Sequence, residues 1–170
     1  MTIDPDTLRK TMESAAERLA SEMNEDGCWE GHLSSSALST AVAAFALWTT
    51  GERDFARRGL DWLVRHVNDD GGWGDTPDSP SNFTTTLLSW CAVSLVDPPP
   101  EPYSRTVTGA DRWLRKYAGG TGPKRIVSTV ISDYGSDRTF SAPILTMCAI
   151  AGKLGDTADR WSHVPALPFE

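Results

Sequence analysis

Cysteine is scarce in this chain of 170 residues, with only Cys28, Cys91 and Cys148 present. An odd and widely spaced set is neither a disulfide framework nor a zinc pattern, so reduced thiols are expected. Long apolar runs are missing too. The two longest, Ala41 to Trp48 and Ile144 to Ala151, fall far short of the ~20 residues that cross a bilayer. The opening MTIDPDTLRK carries no apolar core of a secretory signal, which makes the cytoplasm the expected compartment. Positive charge is in deficit: 16 Lys and Arg against 23 Asp and Glu leave a net −7. Such a balance repels a phosphate backbone and excludes nucleic acid as a partner. His32, His66 and His163 are scattered, and none stands at ligand spacing from a Cys or an acid, so no metal is expected. Phosphate-cradling glycine loops, a nucleophile elbow and Ser-x-x-Lys are all absent, which leaves hydrolase and nucleotide-binding functions without residue support.

What is present is ordinary globular composition: 39% hydrophobic, 23% charged and 9% aromatic residues. A chain of this length buries roughly 70% of its extended surface and needs no staples. Asp4 as N-cap, Pro5 at the first position, and Leu8, Met12, Ala15, Ala16, Leu19 and Met23 at helical spacing predict a helix over about Pro5 to Met23. The turn Asn24-Glu25-Asp26-Gly27 ends it. Ser34 to Ser36 supply a cap, and Ala37 to Trp48 form an apolar helix stopped by Gly51. The pattern then restarts with Phe55, Leu60, Trp62, Leu63 and Val67, a Gly71-Gly72 turn, and an apolar helix from Asn82, read as an N-cap rather than a glycosylation site, through Val96. Asp97 to Pro102, four of whose six residues are proline, reads as a stiff connector. A third round follows with Thr106 to Tyr117, a break at Gly119 to Pro123, and a helix over Ser141 to Leu154. Ile126 to Ile131 is β-branched, yet a lone strand would have no partner, so it too is read as helix.

Two of these rounds superpose at one offset. Leu19, Gly27 and Trp29 stand over Leu63, Gly71 and Trp73, with Asn24 over Asn68 and Ala15 over Gly59. A period of this size marks arrays of helix pairs, in which no pair buries its apolar face alone. The expected fold is therefore all-α: antiparallel helix pairs in one partial α/α barrel spanning 1–170. Its first repeat covers about 5–51, its second about 52–97, a degenerate third about 104–155, and a tail 156–170. The third is degenerate because Gly122-Pro123-Lys124 stands where Gly-x-Trp belongs.

Arg58-Gly59-Leu60-Asp61-Trp62-Leu63 followed by Gly71-Gly72-Trp73 resembles the QW repeat of squalene–hopene and related triterpene cyclases, class II terpene cyclases. Protein prenyltransferase β subunits share that repeat more loosely. Val67 and Met23 occupy the positions that carry Gln in the family's repeat. Thr139-Phe140-Ser141-Ala142-Pro143-Ile144-Leu145-Thr146 and the stretch from Trp161 to Glu170 resemble the later part of a cyclase amino-terminal region. The resemblance implies two α/α barrels with a cavity between them, an acid motif DxDD in chain beyond these residues, and acid-initiated cyclisation of a squalene-like isoprenoid without metal or organic cofactor. It also implies that this chain matches about the first quarter of such a cyclase, whose parent protein can sit peripherally on a membrane.

Protonating an isolated alkene requires a carboxylic acid held protonated in a dry cavity lined by aromatic faces. No DxDD occurs here, so no catalytic residue is assigned. Asn68-Asp69-Asp70 reads as a solvated turn, and Ser132-Asp133-Tyr134 as a chance likeness to an acid motif. Trp29 and Trp73 read as clamps at the repeat turns, Trp62 and Trp113 as packing between layers, and Trp48 and Trp90 as core residues with a weaker claim on a cavity. The leading function is thus one wall of a cyclase, with the isoprenoid bound only in the context of the full-length enzyme. The competing function is a free-standing helical-repeat module that binds an apolar ligand or partner. A prenyltransferase-like subunit would need zinc ligands and a basic cleft, and neither is apparent. Apolar surface left open near Ile126–Ile131 and Ser141–Leu154 is expected to drive self-association.

Overall fold

A computed structural model describes residues 3–31, 33–136, 138–155 and 158–166. His32 lies outside them, as does Glu170. Seven α-helices and no strand occur among the described residues: α1 (Pro5–Ser21), α2 (Ala37–Thr50), α3 (Arg53–Arg65), α4 (Phe83–Val93), α5 (Glu101–Ala118), α6 (Pro123–Tyr134) and α7 (Arg138–Ile150). A short 3-10 helix, Ala158–His163, follows. The β-branched stretch Ile126 to Ile131 is indeed helical, within α6.

The expected caps are where the sequence puts them. The Asp4 carboxylate accepts from the Thr7 amide at 3.0 Å, Ser36 Oγ from the Ser39 amide at 3.2 Å, and Asn82 Oδ1 from the Thr85 amide at 2.9 Å. The connector is shorter than expected. Pro102 sits in the first turn of α5, where its missing N–H would have had no helical partner anyway.

The chain divides into two compact units, Met1–Ser34 and Ser35–Glu170. In the first, α1 is amphipathic but none of its residues is buried. Leu8, Met12 and Leu19 are about half exposed or more.

In the second unit, α4 is the central element: every residue from Phe83 to Val93 except Thr84 is buried. It packs against α2, α5 and α7, while α3 folds back on α2 across the two-residue link Gly51-Glu52. Gly59 lets α3 and α2 approach closely, since a Cβ there would lie 3.0 Å from the Ala44 Cβ. Leu60, Leu63, Leu87, Leu114 and Leu145 fill the space between helices and are fully buried. Burial of that kind holds the fold; removing one such side chain to Ala costs about 2–5 kcal/mol.

Ala37–Trp48, Phe83–Val96 and Ser141–Leu154 all read as inner helices, but only α4 is buried all round. On α2, Ala37, Ala41, Ala44 and Phe45 are buried while Val42 is exposed. On α7, Ile144, Leu145 and Cys148 are buried while Phe140 and Ile150 are exposed. The exposed apolar surface meets the expectation in part: Ile131 on α6 and Ile150 on α7 are exposed. But α6 buries Ile126 and Val130, and further open side chains lie on α1, on α2 at Val42, on α3 at Phe55 and on α5 at Tyr117. The 3.6-residue period explains this: an all-apolar helix needs only one face covered, and composition does not say which.

Candidate functional site

The two repeat turns are built alike. After α1, the Gly27 amide donates to the Asn24 carbonyl at 3.0 Å and the Asn24 amide to the Cys28 carbonyl at 2.9 Å. After α3, the Gly71 amide donates to the Asn68 carbonyl at 2.9 Å and the Asn68 amide to the Gly72 carbonyl at 2.9 Å. Gly27 and Gly71 both adopt positive φ, 76° and 89°. Trp29 Nε1 donates to the Leu19 carbonyl at 2.6 Å, and Trp73 Nε1 to the Leu63 carbonyl at 2.9 Å. Each indole therefore reaches back to its own helix and satisfies a carbonyl of the last turn. The two differ in surroundings, for Trp29 is 53% exposed and Trp73 only 1%.

Asp70 is more than a solvated turn residue. Its Oδ1 accepts from the Gly72 amide at 3.0 Å and from Ser81 Oγ at 2.7 Å, and its Oδ2 accepts from Trp113 Nε1 at 2.9 Å. Partial burial pushes its carboxyl up, but the bonds from Ser81, Gly72 and Trp113 outweigh that and hold it below the usual range. A carboxyl fixed in its ionised form is a structural clamp, not a proton donor. Trp113 in turn stacks on Tyr117, and Tyr117 on Phe83. Asp133 behaves differently: burial alone pushes its carboxyl up.

An apolar groove of about 920 Å³ lies between α2, α4 and α7, with Val164 and Pro165 also in its wall. Leu38, Val42 and Phe45 come from α2, Leu88 from α4, and Ile144 and Met147 from α7. Two aromatic rings, Tyr134 and Phe140, join the wall and stack on each other with centroids 5.8 Å apart. Among the described residues no Asp, Glu, His, Lys or Arg lines it. Its size and character fit a site for an elongated apolar molecule, and its aromatic faces suit a passing cation. Among the described residues the wall offers no carboxylic acid to protonate an alkene. Pro143, which lies inside α7 and brings no amide donor to that helix, is also part of the wall.

Trp48 and Trp90 do not line the groove. Trp48 carries the Arg53 guanidinium 4.1 Å above its ring. Trp90 is buried beneath Lys153, whose Nζ lies 3.9 Å from the ring centroid and 3.0 Å from Ser94 Oγ. Burial pushes the Lys153 ammonium down from its ordinary value. Trp62 stacks on His66, and the His66 Nδ1 lies 2.8 Å from the Trp62 carbonyl oxygen. Among the described residues no three His, Cys, Asp or Glu side chains gather to hold a metal ion. Also among them, no helix is long and apolar enough to cross a membrane.

One pairing escaped the sequence. Cys91 and Cys148, 57 positions apart, are both fully buried with their Sγ atoms 3.8 Å apart, joining α4 to α7. The Cys91 contact and burial push the Cys148 thiol well up, so it is an inert core thiol. Asp75, which no motif marked, accepts from Thr85 Oγ1 at 2.7 Å and Asn82 Nδ2 at 2.8 Å. The signal for it was the Asn82 cap itself, whose side chain needs a partner for its amide hydrogens.

Comparison with known proteins agrees with this architecture. Residues 12–128, more than half of the chain, match the squalene-hopene cyclase N-terminal domain. Over 83 residues the chain is 35% identical to terpentedienyl-diphosphate synthase from Kitasatospora griseola, a match that covers 45% of this chain and 17% of that protein. No solved structure matches.

Proposed function

The chain belongs to the squalene-hopene cyclase N-terminal domain family, whose fold is the all-α toroid, and from that premise we propose that it supplies one wall of an acid-initiated isoprenoid cyclase. The observation that carries this reading is the mainly apolar groove between α2, α4 and α7, lined among the described residues by no charged side chain and faced by Tyr134 and Phe140. In such a reaction the protein's tasks divide. One is to donate a proton to an alkene, which takes a protonated carboxylic acid in a dry site. Another is to hold the isoprenoid folded, exclude water, and offer aromatic faces to the migrating cation.

These residues are equipped for the second task only. No DxDD occurs in the sequence, and the best-held carboxylates, Asp70 and Asp75, are kept ionised by their hydrogen bonds. The acid is supplied from outside these 170 residues. The substrate class is a linear isoprenoid, squalene-like in its apolar body. The chain spans less than a fifth of the length of the Kitasatospora relative. Binding without chemistry, as a free-standing module, explains the groove but gives no reason for the family match.

Purified chain incubated with squalene, and separately with a prenyl diphosphate, gives no polycyclic product above a protein-free control. Any polycycle formed by this chain alone would overturn the division of tasks.

A further inference from the structure

Resting on the reading of the groove as an isoprenoid site, we propose that its occupant ends in a neutral hydroxyl, held where the groove meets Asp75 and Tyr134. A second cavity, of about 480 Å³, shares Leu38, Thr84 and Tyr134 with the groove and adds Ser36, Asp75 and Asn82. The groove thus has a polar end, built differently from the rest of its wall. Tyr134 Oη and Thr84 Oγ1 lie 3.0 Å apart there, and either can donate to the other.

That end is selective by charge. Asp75 Oδ1 takes the hydrogens of Thr85 and Asn82, and among the described residues Oδ2 accepts no hydrogen bond. The two donors hold the carboxyl below the usual range, so it stays ionised near neutrality. A fixed carboxylate with a spare acceptor, beside hydroxyls that both donate and accept, suits an O–H that donates to one and accepts from another. A diphosphate brings only acceptors and negative charge, and among the described residues no Lys or Arg lines this end to offset the repulsion. An ammonium would meet the carboxylate but has no acceptor for the Tyr134 or Thr84 hydrogen. A bare hydrocarbon would cover Asp75 Oδ2 and the one hydroxyl hydrogen that the Thr84–Tyr134 bond leaves over, and give neither a partner.

The test compares four probes of equal chain length on the full chain: farnesol, farnesyl diphosphate, farnesylamine and the hydrocarbon farnesene, each displacing a hydrophobic dye. Farnesol is expected to bind about ten-fold tighter than each of the other three, a difference of one hydrogen-bonded head group. Tyr134→Phe removes most of its advantage over farnesene, and Asp75→Asn narrows its advantage over the diphosphate. If Asp75→Asn does not fold, Tyr134→Phe decides. Equal or tighter binding of the diphosphate or the amine, or a silent Tyr134→Phe, overturns the hydroxyl assignment while leaving the groove intact. Ala46→Trp fills the groove and should abolish binding of all four. Undiminished binding in that variant would remove the isoprenoid reading itself.

Discussion

The indole N–H of Trp73 donates to the carbonyl of Leu63 at 2.9 Å, and the same bond joins Trp29 to Leu19 at 2.6 Å. In both, the tryptophan lies ten residues past its acceptor and closes the turn back onto the helix it follows. Trp73 is buried and Trp29 half exposed. Each carbonyl also accepts a longer backbone bond, Leu63 from the His66 amide at 3.2 Å and Leu19 from the Glu22 amide at 3.3 Å. Losing the indole bond therefore leaves a covered carbonyl with that one weak partner in one turn and a solvated one in the other. Trp73→Phe is expected to destabilise the second unit by about 1–3 kcal/mol, and Trp29→Phe to cost under about 1 kcal/mol. Urea midpoints for the two variants check the order.

The glycines of the two turns separate in the same direction. Both sit at positive φ, which costs a non-glycine residue about 1–2 kcal/mol. A Cβ on Gly27 would meet nothing within 4 Å, whereas one on Gly71 would lie 2.9 Å from the Gly109 carbonyl oxygen of α5. Gly27→Ala should cost only the backbone strain. Gly71→Ala should cost more, because a backbone must move, and a thermal melt of each variant reads the difference.

Much of this was legible in residue order. Caps at Asp4, Ser36 and Asn82, breaks at Gly51 and Gly119, and the shared register of Leu19 and Leu63 follow from local chemistry and period. Contacts between distant segments were not. Nothing in the spacing of Cys91 and Cys148 brings their sulfurs together, and nothing in Asn68-Asp69-Asp70 points to Trp113 on α5. The groove was hidden for a related reason: α2 and α7 are apolar on most faces, and only the packing shows which of those faces stays open.

Acid should weaken the fold through Asp70 and Asp75, whose carboxyls are held below the ordinary 3.8. A carboxylate whose folded pKa lies below its unfolded value stabilises the fold at every pH above the unfolded value. That contribution is lost as pH falls through the folded pKa. From these groups stability is flat between pH 7 and about 5 and declines below about 4. Asp70→Asn should lower the urea midpoint at pH 7 and make its fall at low pH shallower; an unchanged acid slope would show that the clamp contributes nothing.

Thiol chemistry reads the core directly. Cys28 is exposed, while Cys91 and Cys148 are buried and free. A chromogenic disulfide reagent should titrate one fast thiol in the native protein and three after denaturation. Fast reaction of two or three native thiols would place α7 away from α4.

Photolabelling with an isoprenoid that carries a benzophenone tests the central claim, that the groove between α2, α4 and α7 is the apolar wall for the substrate chain. The account predicts saturable labelling, competed by unlabelled isoprenoid, with adducts mapped to residues 38–46 of α2 and 140–150 of α7. Labelling confined to α1 or to the outer helices α3 and α5, or labelling that does not saturate, would contradict it.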